Sequence, residues 1–334
     1  MALSKYENTQ IKAIHVVVPK QKESNIELFG KIKANEFKEK TGICNRLIAG
    51  EEENPIFDYA LEGAENVLSN LEWDSNSIDH IIFVTQSPDK AFPSLSNRLH
   101  GHFNMNSECV CFDINIGCSG FVYGLNVIYS LMQAGQKPFS RSLLFVGDIS
   151  TSFIPKENNT NRAIFSDAIS VTAIEKSSFK SMSFFNLETY GKGFNAIHSK
   201  KNGHKEEMIM NGIEVLDYAI NFVPKNIHNL LTYSKHYLPE TDFIILHQAN
   251  KLINNFLEKI LEIGDNKSLS SLEQIGNTSS ASIPVSLVFN KEKINNTSKD
   301  YKILLSGFGV GFSIASCLLI ISSDCLLTES TYGN

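Results

Sequence analysis

The 334-residue chain reads as an α/β protein with its sheets buried between helices, and three observations give that class. Short apolar runs suited to strands alternate along the whole length with longer segments of helical periodicity. Several runs, such as Ile81 to Thr85 and Phe243 to Leu246, are apolar at nearly every position, as strands covered on both faces are. The chain also echoes itself. DHIIFVTQSP (79–88) has the shape of TDFIILHQAN (241–250), and SLLFVGD (142–148) that of KILLSGF (302–308), so one strand–helix alternation is written twice, as residues 1–175 and 176–334.

Taken in order, Ile11 to Val18 is a strand closed by Pro19, and a polar helix ends near Thr41-Gly42. Phe57, Ala60, Leu61, Ala64, Val67, Leu68 and Leu71 recur at helical spacing and lay one apolar face on a sheet. A strand follows from Ile81, broken by Pro88, then a helix from Ser94 to His102 with Leu95 and Leu99 inward. Cys109 to Ile114 is expected as a buried strand, and Ser119 to Met132 is apolar on nearly every face, as a central helix is. Strands are expected at Ser142 to Val146 and Phe165 to Ile174, with a loop at 155–162 and a solvated polar loop at 196–207 carrying His198 and His204. A long helix from Ile213 to Leu231 is broken or restarted at Pro224. After Phe243 to Leu246, a helix sets Leu252, Ile253, Phe256, Leu257, Ile260 and Leu261 inward, with Lys251, Asn255, Glu258 and Lys259 outside. A helix from about Pro284, a strand from Lys302, a glycine turn and a last strand, Phe312 to Ile320, complete the chain.

Composition narrows the function. Apolar residues make up 42% of the chain, enough for a large core, and a net charge of −6 argues against a dedicated nucleic-acid surface. Cys44, Cys109, Cys111, Cys118, Cys317 and Cys325 lie mostly in apolar runs without the spacing of a zinc site, which fits reduced thiols in a cytoplasm. No apolar run approaches the roughly 18 residues of a membrane span, and the polar start does not read as a signal peptide. The Asn-x-Ser/Thr triplets at Asn158, Asn277, Asn295 and Asn296 then carry no glycan meaning.

Candidate chemistry gathers at strand ends and glycine-flanked turns. Cys118, between Gly117 and Gly120, starts the central helix, where first-turn N–H groups favour thiolate over thiol; alone it reads equally as a small residue packed at a tight turn. His247 ends a strand and Asn277 sits in a Gly-Asn turn, and each alone also reads as a structural residue. Together a thiol, an imidazole and a carboxamide supply a nucleophile, a proton acceptor and donors for an enolate oxygen. Arg46 and Lys40 are candidates for a phosphate at the rim, with solvated charge the plainer reading.

The motifs around these residues tie them together. They are Asp113-Ile-Asn-Ile-Gly-Cys118-Ser-Gly120-Phe121-Val-Tyr123-Gly-Leu125, His247-Gln-Ala-Asn250, Gly276-Asn-Thr-Ser-Ser-Ala-Ser282 and Gly307-Phe-Gly-Val-Gly311, with shorter matches at Thr41, Ala91 and Phe165. In this order and over nearly the whole chain they resemble the thiolase superfamily, and within it β-ketoacyl-ACP synthase III. The resemblance implies a duplicated, layered α-β-α-β-α thiolase fold, a homodimer, and acyl transfer without a metal or redox cofactor. Cys118 takes an acyl group from a CoA or acyl-carrier-protein thioester, and a malonyl thioester then loses CO₂ with its carbonyl held by His247 and Asn277. The resemblance also implies an oxyanion site at the backbone of Cys118 and of Gly309-Val310, with Phe308 beside the thiol, Phe92 closing the partner's acyl pocket, and Arg162 and Lys40 on CoA. Departures include Asp217 and Leu252 where basic residues usually meet the carrier, Ile116-Gly117 before the cysteine and Ile314 after the glycine turn. They suggest a pathway-specific synthase, with Lys251 and Lys259 compensating or the partner differing. Two other readings stand beside the condensing enzyme: an acyltransferase of the same fold that makes an ester or amide, and a non-catalytic subunit.

Overall fold

The computed structural model describes residues 2–50, 53–135, 137–178, 180–203, 205–294 and 299–333. Its strands are β1 (Ala2–Glu7), β2 (Thr9–Val18), β3 (Gln21–Ser24), β4 (Asn45–Ile48), β5 (Ile78–Val84), β6 (Val110–Ile114), β7 (Ser140–Asp148), β8 (Ala168–Lys176), β9 (Met182–Thr189), β10 (Ile197–Asn202), β11 (Lys205–Met210), β12 (Phe243–Leu246), β13 (Tyr301–Gly309), β14 (Ser313–Ile321) and β15 (Leu326–Thr331). The helices that build the layers are α1 (Lys31–Thr41), α2 (Pro55–Asn70), α3 (Leu95–His102), α4 (Gly120–Ala134), α5 (Gly212–Ser234), α6 (Lys251–Ile260) and α7 (Ser282–Phe289).

One sheet has the order β15-β2-β8-β7-β5-β6 and the other β1-β9-β14-β13-β12. The echo in the sequence is an echo in pairing. β5 runs parallel to β7, which is antiparallel to β8, as β12 runs parallel to β13, which is antiparallel to β14. Helices α4 and α7 fill the space between the sheets through Phe121, Leu125, Ile128, Met132, Ile283 and Leu287. Helices α2 and α3 cover the outer face of the first sheet, and α5 and α6 that of the second. These are the five layers of a thiolase fold. In so enclosed a middle layer, truncating Leu125 to Ala would cost about 2–5 kcal/mol.

Several expectations are corrected. Residues 2–7, read only as a polar start, form β1 and pair with β9, while Leu326–Thr331 forms β15 and pairs with β2, so each of these strands joins the sheet of the other half. The expected loop at 196–207 is the hairpin β10–β11, with Ile197 opposite Met210 and Gly203 supplying a φ of 62° at the turn. His204, Asn295 and Asn296 lie outside the described residues. Helix α5 runs unbroken through Pro224, because Val215, Ala219, Val223, Ile227 and Leu230 hold it to the second sheet on both sides of the proline. The stretch at 155–162 ends in a one-turn helix, Asn159–Arg162. The strand expected to be buried, β6, is an edge strand with Val110 46% exposed. Of the apolar residues on α6 only Ile253 and Leu257 are buried, and the neighbouring stripe of Leu252, Phe256 and Ile260 faces outward, since its apolar arc is wider than the face the sheet covers.

Candidate active site

Cys118 stands where the chain leaves β6 and enters α4, its turn closed by the Gly120 N–H donating to the Gly117 carbonyl at 2.7 Å. The glycines at the end of β13 lie against it. A Cβ on Gly309 would sit 3.0 Å from Cys118 Sγ, and one on Gly307 would sit 2.7 Å from Ser119 Cα, so neither position admits a side chain.

His247 prolongs β12, its N–H donating to the Ser306 carbonyl at 2.8 Å, and its ring meets Phe308 edge to face at 5.4 Å. Nδ1 lies 2.6 Å from the Ser282 hydroxyl, at the first turn of α7. The rest of the His-Gln-Ala-Asn motif is scaffold. Gln248 accepts from the Ser270 hydroxyl at 2.6 Å, and Asn250 caps α6 by accepting from the Ile253 N–H at 2.9 Å.

Asn277 is fixed by the first half of the chain: its N–H donates to the Ile164 carbonyl and its carbonyl accepts from the Ser166 N–H. Its Oδ1 accepts from the Ser279 N–H at 2.8 Å, and Nδ2 reaches the Ala249 carbonyl only at 3.4 Å, which leaves amide hydrogens for a ligand. Ser280 donates through its hydroxyl to the buried carboxylate of Asp148 at 2.6 Å, tying this turn to the end of β7.

Cys118, His247, Asn277, Phe308 and Gly309 line one cavity of about 60 Å³. Burial pushes the Cys118 thiol up to about 12, with the charge of Asp148 adding to it, while the Ser279 hydroxyl and the N–H groups of Cys118 and Val310 pull the other way. The thiolate expected from the helix terminus is therefore not the resting form, because desolvation outweighs those donors. Burial lowers His247 to about 3, so the resting pair is a neutral thiol and a neutral imidazole.

A second chamber adjoins this cavity. Ile197 lines both, and the second, of about 310 Å³, lies beside Val310 and Gln86. Phe153 and Glu206 line that chamber and a third of about 760 Å³ that holds Arg46 and Arg162. Arg46 is not the rim cation expected from the sequence: it is 1% exposed, with Nη2 2.6 Å from Glu23 Oε2. Arg162 also reaches Glu23, at 3.4 Å, and Lys40 stands exposed on α1, apart from the third chamber's lining. Phe92 is 84% exposed and does not line its own chain's cavity. Ser279, Ser282 and Asp148 are the site residues that sequence reasoning passed over. The first two lie inside the Gly276–Ser282 motif, and the third ends a strand in a Gly-Asp pair.

Residues 112–193 match the family model described as 3-oxoacyl-[acyl-carrier-protein (ACP)] synthase III, and residues 235–321 match the model of its C-terminal part. A Campylobacter jejuni protein provisionally named 3-oxoacyl-[acyl-carrier-protein] synthase 3 is 30% identical, over 95% of this chain and 95% of the relative. A β-ketoacyl-[acyl-carrier-protein] synthase III of Prochlorococcus marinus is 31% identical, over 90% of this chain and 93% of its own. The crystal structure of a 3-oxoacyl-(acyl-carrier protein) synthase from Burkholderia xenovorans superposes with a TM-score of 0.91 at 26% identity, covering 98% of this chain and 99% of that one. No described helix is long and apolar enough to cross a membrane. By sequence and by fold, the chain belongs to the 3-oxoacyl-[acyl-carrier-protein] synthase III family of condensing enzymes.

Proposed function

We propose that this chain condenses an acyl thioester with a malonyl thioester in two steps, through Cys118, His247 and Asn277. The observation that carries the reading is the shared cavity of these three residues, with the N–H groups of Cys118 and Val310 turned toward the sulfur. In the first step the Cys118 proton passes to His247 Nε2, and sulfur attacks the donor's carbonyl carbon. The oxyanion rests on the two N–H groups, and the departing thiol takes the proton back from His247. In the second step the carboxylate C–C bond of the malonyl group breaks and CO₂ leaves. The electron pair becomes an enolate whose oxygen is held by His247 Nε2–H and Asn277 Nδ2. The α-carbon then attacks the acyl-enzyme, the Cys118 sulfur leaves as thiolate, and a proton from solvent restores the thiol.

His247 thus accepts at Nε2 in one step and donates there in the next. Ser282 suits both, because a hydroxyl accepts from Nδ1–H in the first tautomer and donates to Nδ1 in the second. Fixed hydrogen bonds meet the developing charge, so the proposal includes no metal or redox cofactor beyond the thioester substrates. A homodimer that covers exposed Phe92 belongs to the same proposal. So does a pathway-specific role, supported by Asp217 and Leu252 standing exposed on α5 and α6.

The test is intact-mass measurement after incubation with a panel of acyl-CoA and acyl-carrier thioesters. An adduct absent in Cys118→Ala, followed by CO₂ release on adding malonyl thioester, supports the proposal. Acylation without CO₂ release, ending in transfer to a hydroxyl or amine, would replace condensation by ester or amide formation.

A further inference from the structure

The three chambers share wall residues in succession outward from the thiol: Ile197 belongs to the first and second, Phe153 and Glu206 to the second and third. A thioester with its carbonyl at Cys118 and its arm in the second chamber places its far end in the third. The charges there decide which far ends are welcome.

Two of the three cations that line the third chamber, Arg46 and Arg162, are already occupied, and the third, Lys156, is exposed. Arg46 is buried in the wall and bonded to Glu23 at 2.6 Å, and Arg162 places Nη2 3.4 Å from the same carboxylate while Nη1 donates to the Lys156 carbonyl at 3.0 Å. Swinging Glu23 aside for an incoming anion would cost the buried guanidinium of Arg46 its bonded carboxylate and leave it only the longer-range charge of Asp167. A phosphate that reached Arg162 would therefore lie beside a fixed carboxylate. Glu206 and Glu207, from β11, add two further carboxylates to the same walls.

We propose that Glu23 is a specificity-determining residue that silences this cationic pair, so that the enzyme selects the pantetheine arm of its acyl donor and gains little from a nucleotide phosphate at the end of it. This rests on the function proposed above and adds to it the class of donor: thioesters without a nucleotide, such as an arm carried on a protein.

The test compares self-acylation by one acyl group on CoA and on plain pantetheine. Wild type is expected to use the two with kcat/KM values within a few-fold. Glu23→Gln, which removes the charge and keeps an acceptor for Arg46, is expected to raise kcat/KM for acyl-CoA on the order of tenfold while leaving acyl-pantetheine unchanged. The acyl-pantetheine rate in the same variant reports that it is folded and active. Glu206→Gln combined with Glu207→Gln, on the hairpin strand β11, is expected to move the ratio in the same direction by a smaller factor. A wild-type preference for acyl-CoA above tenfold, or a ratio that neither variant moves, overturns the proposal and leaves the condensing function standing. Failure of both donors to acylate Cys118 takes down the functional reading and this inference with it.

Discussion

The Ser282 hydroxyl lies 2.6 Å from Nδ1 of His247, both side chains being buried, so the far side of the imidazole has a hydrogen-bond partner in either tautomer. Ser282→Ala leaves that nitrogen unpaired. Decarboxylation of the malonyl thioester is expected to fall about 5- to 150-fold, the cost of one buried unsatisfied polar atom. Ser282→Thr, which keeps the hydroxyl, restores most of the rate. Radiolabelled CO₂ release in the three proteins checks this, since a change in packing alone would not follow the hydroxyl.

His247→Ala and Asn277→Ala are expected to retain some self-acylation while each loses decarboxylation by about 10²–10³-fold, the usual size of a donor aimed at a developing oxyanion. Intact mass reads the first quantity and CO₂ the second. Normal CO₂ release in both variants would remove these residues from their role.

The thiol of Cys118 is pushed up to about 12. Alkylation of the free enzyme by iodoacetamide is therefore expected to rise with pH through 7, 8 and 9 with no plateau. A thiolate-resting enzyme would instead give a flat rate above neutrality.

Gly309→Ala and Gly307→Ala press a methyl against Cys118 Sγ and Ser119 Cα respectively. Each should lose self-acylation, and Gly307→Ala, which meets backbone, should destabilise the fold by about 1–3 kcal/mol, as overpacking does. Denaturant titration beside the mass assay separates the two effects.

His15, His80 and His247 are all held below the ordinary histidine value by burial. The unfolded chain then binds more protons than the folded one at acid pH, so this stability is present above about 6.5 and is lost as pH falls toward the folded values. For His247, lowered to about 3, the slope approaches about 1.4 kcal/mol per pH unit below 6. Asp167, raised to about 6 by burial, acts with the opposite sign: its contribution is present below the usual carboxylate value and lost as pH rises through 6. Urea midpoints are expected to drop between pH 7 and 5, and to drop less in His247→Gln.

The layered α/β class and the paired strand order were legible because each rests on a local signal, continuous apolar strands and a repeated shape, whereas Cys118, His247 and Asn277 were tied together only by the motifs around them. What was not legible depended on distant partners. β1 carries Ser4, Lys5 and Glu7 and looks like a polar tail until β9 supplies its ladder. Arg46 reads as a surface cation until Glu23, on the paired strand, is seen to hold it inside. The helix start at Cys118 correctly indicates donors around the sulfur, but how far burial counteracts them depends on side chains from β13 and α7 that no single segment reveals.

The crossed placement of β1 and β15 has a consequence for assembly. Residues 326–331 are synthesised long after the first half, so that half's sheet waits for them to receive its outer strand, while β1 waits for β9. Fragments cut at residue 175 should each lack a strand carried by the other, and should recover structure only when mixed.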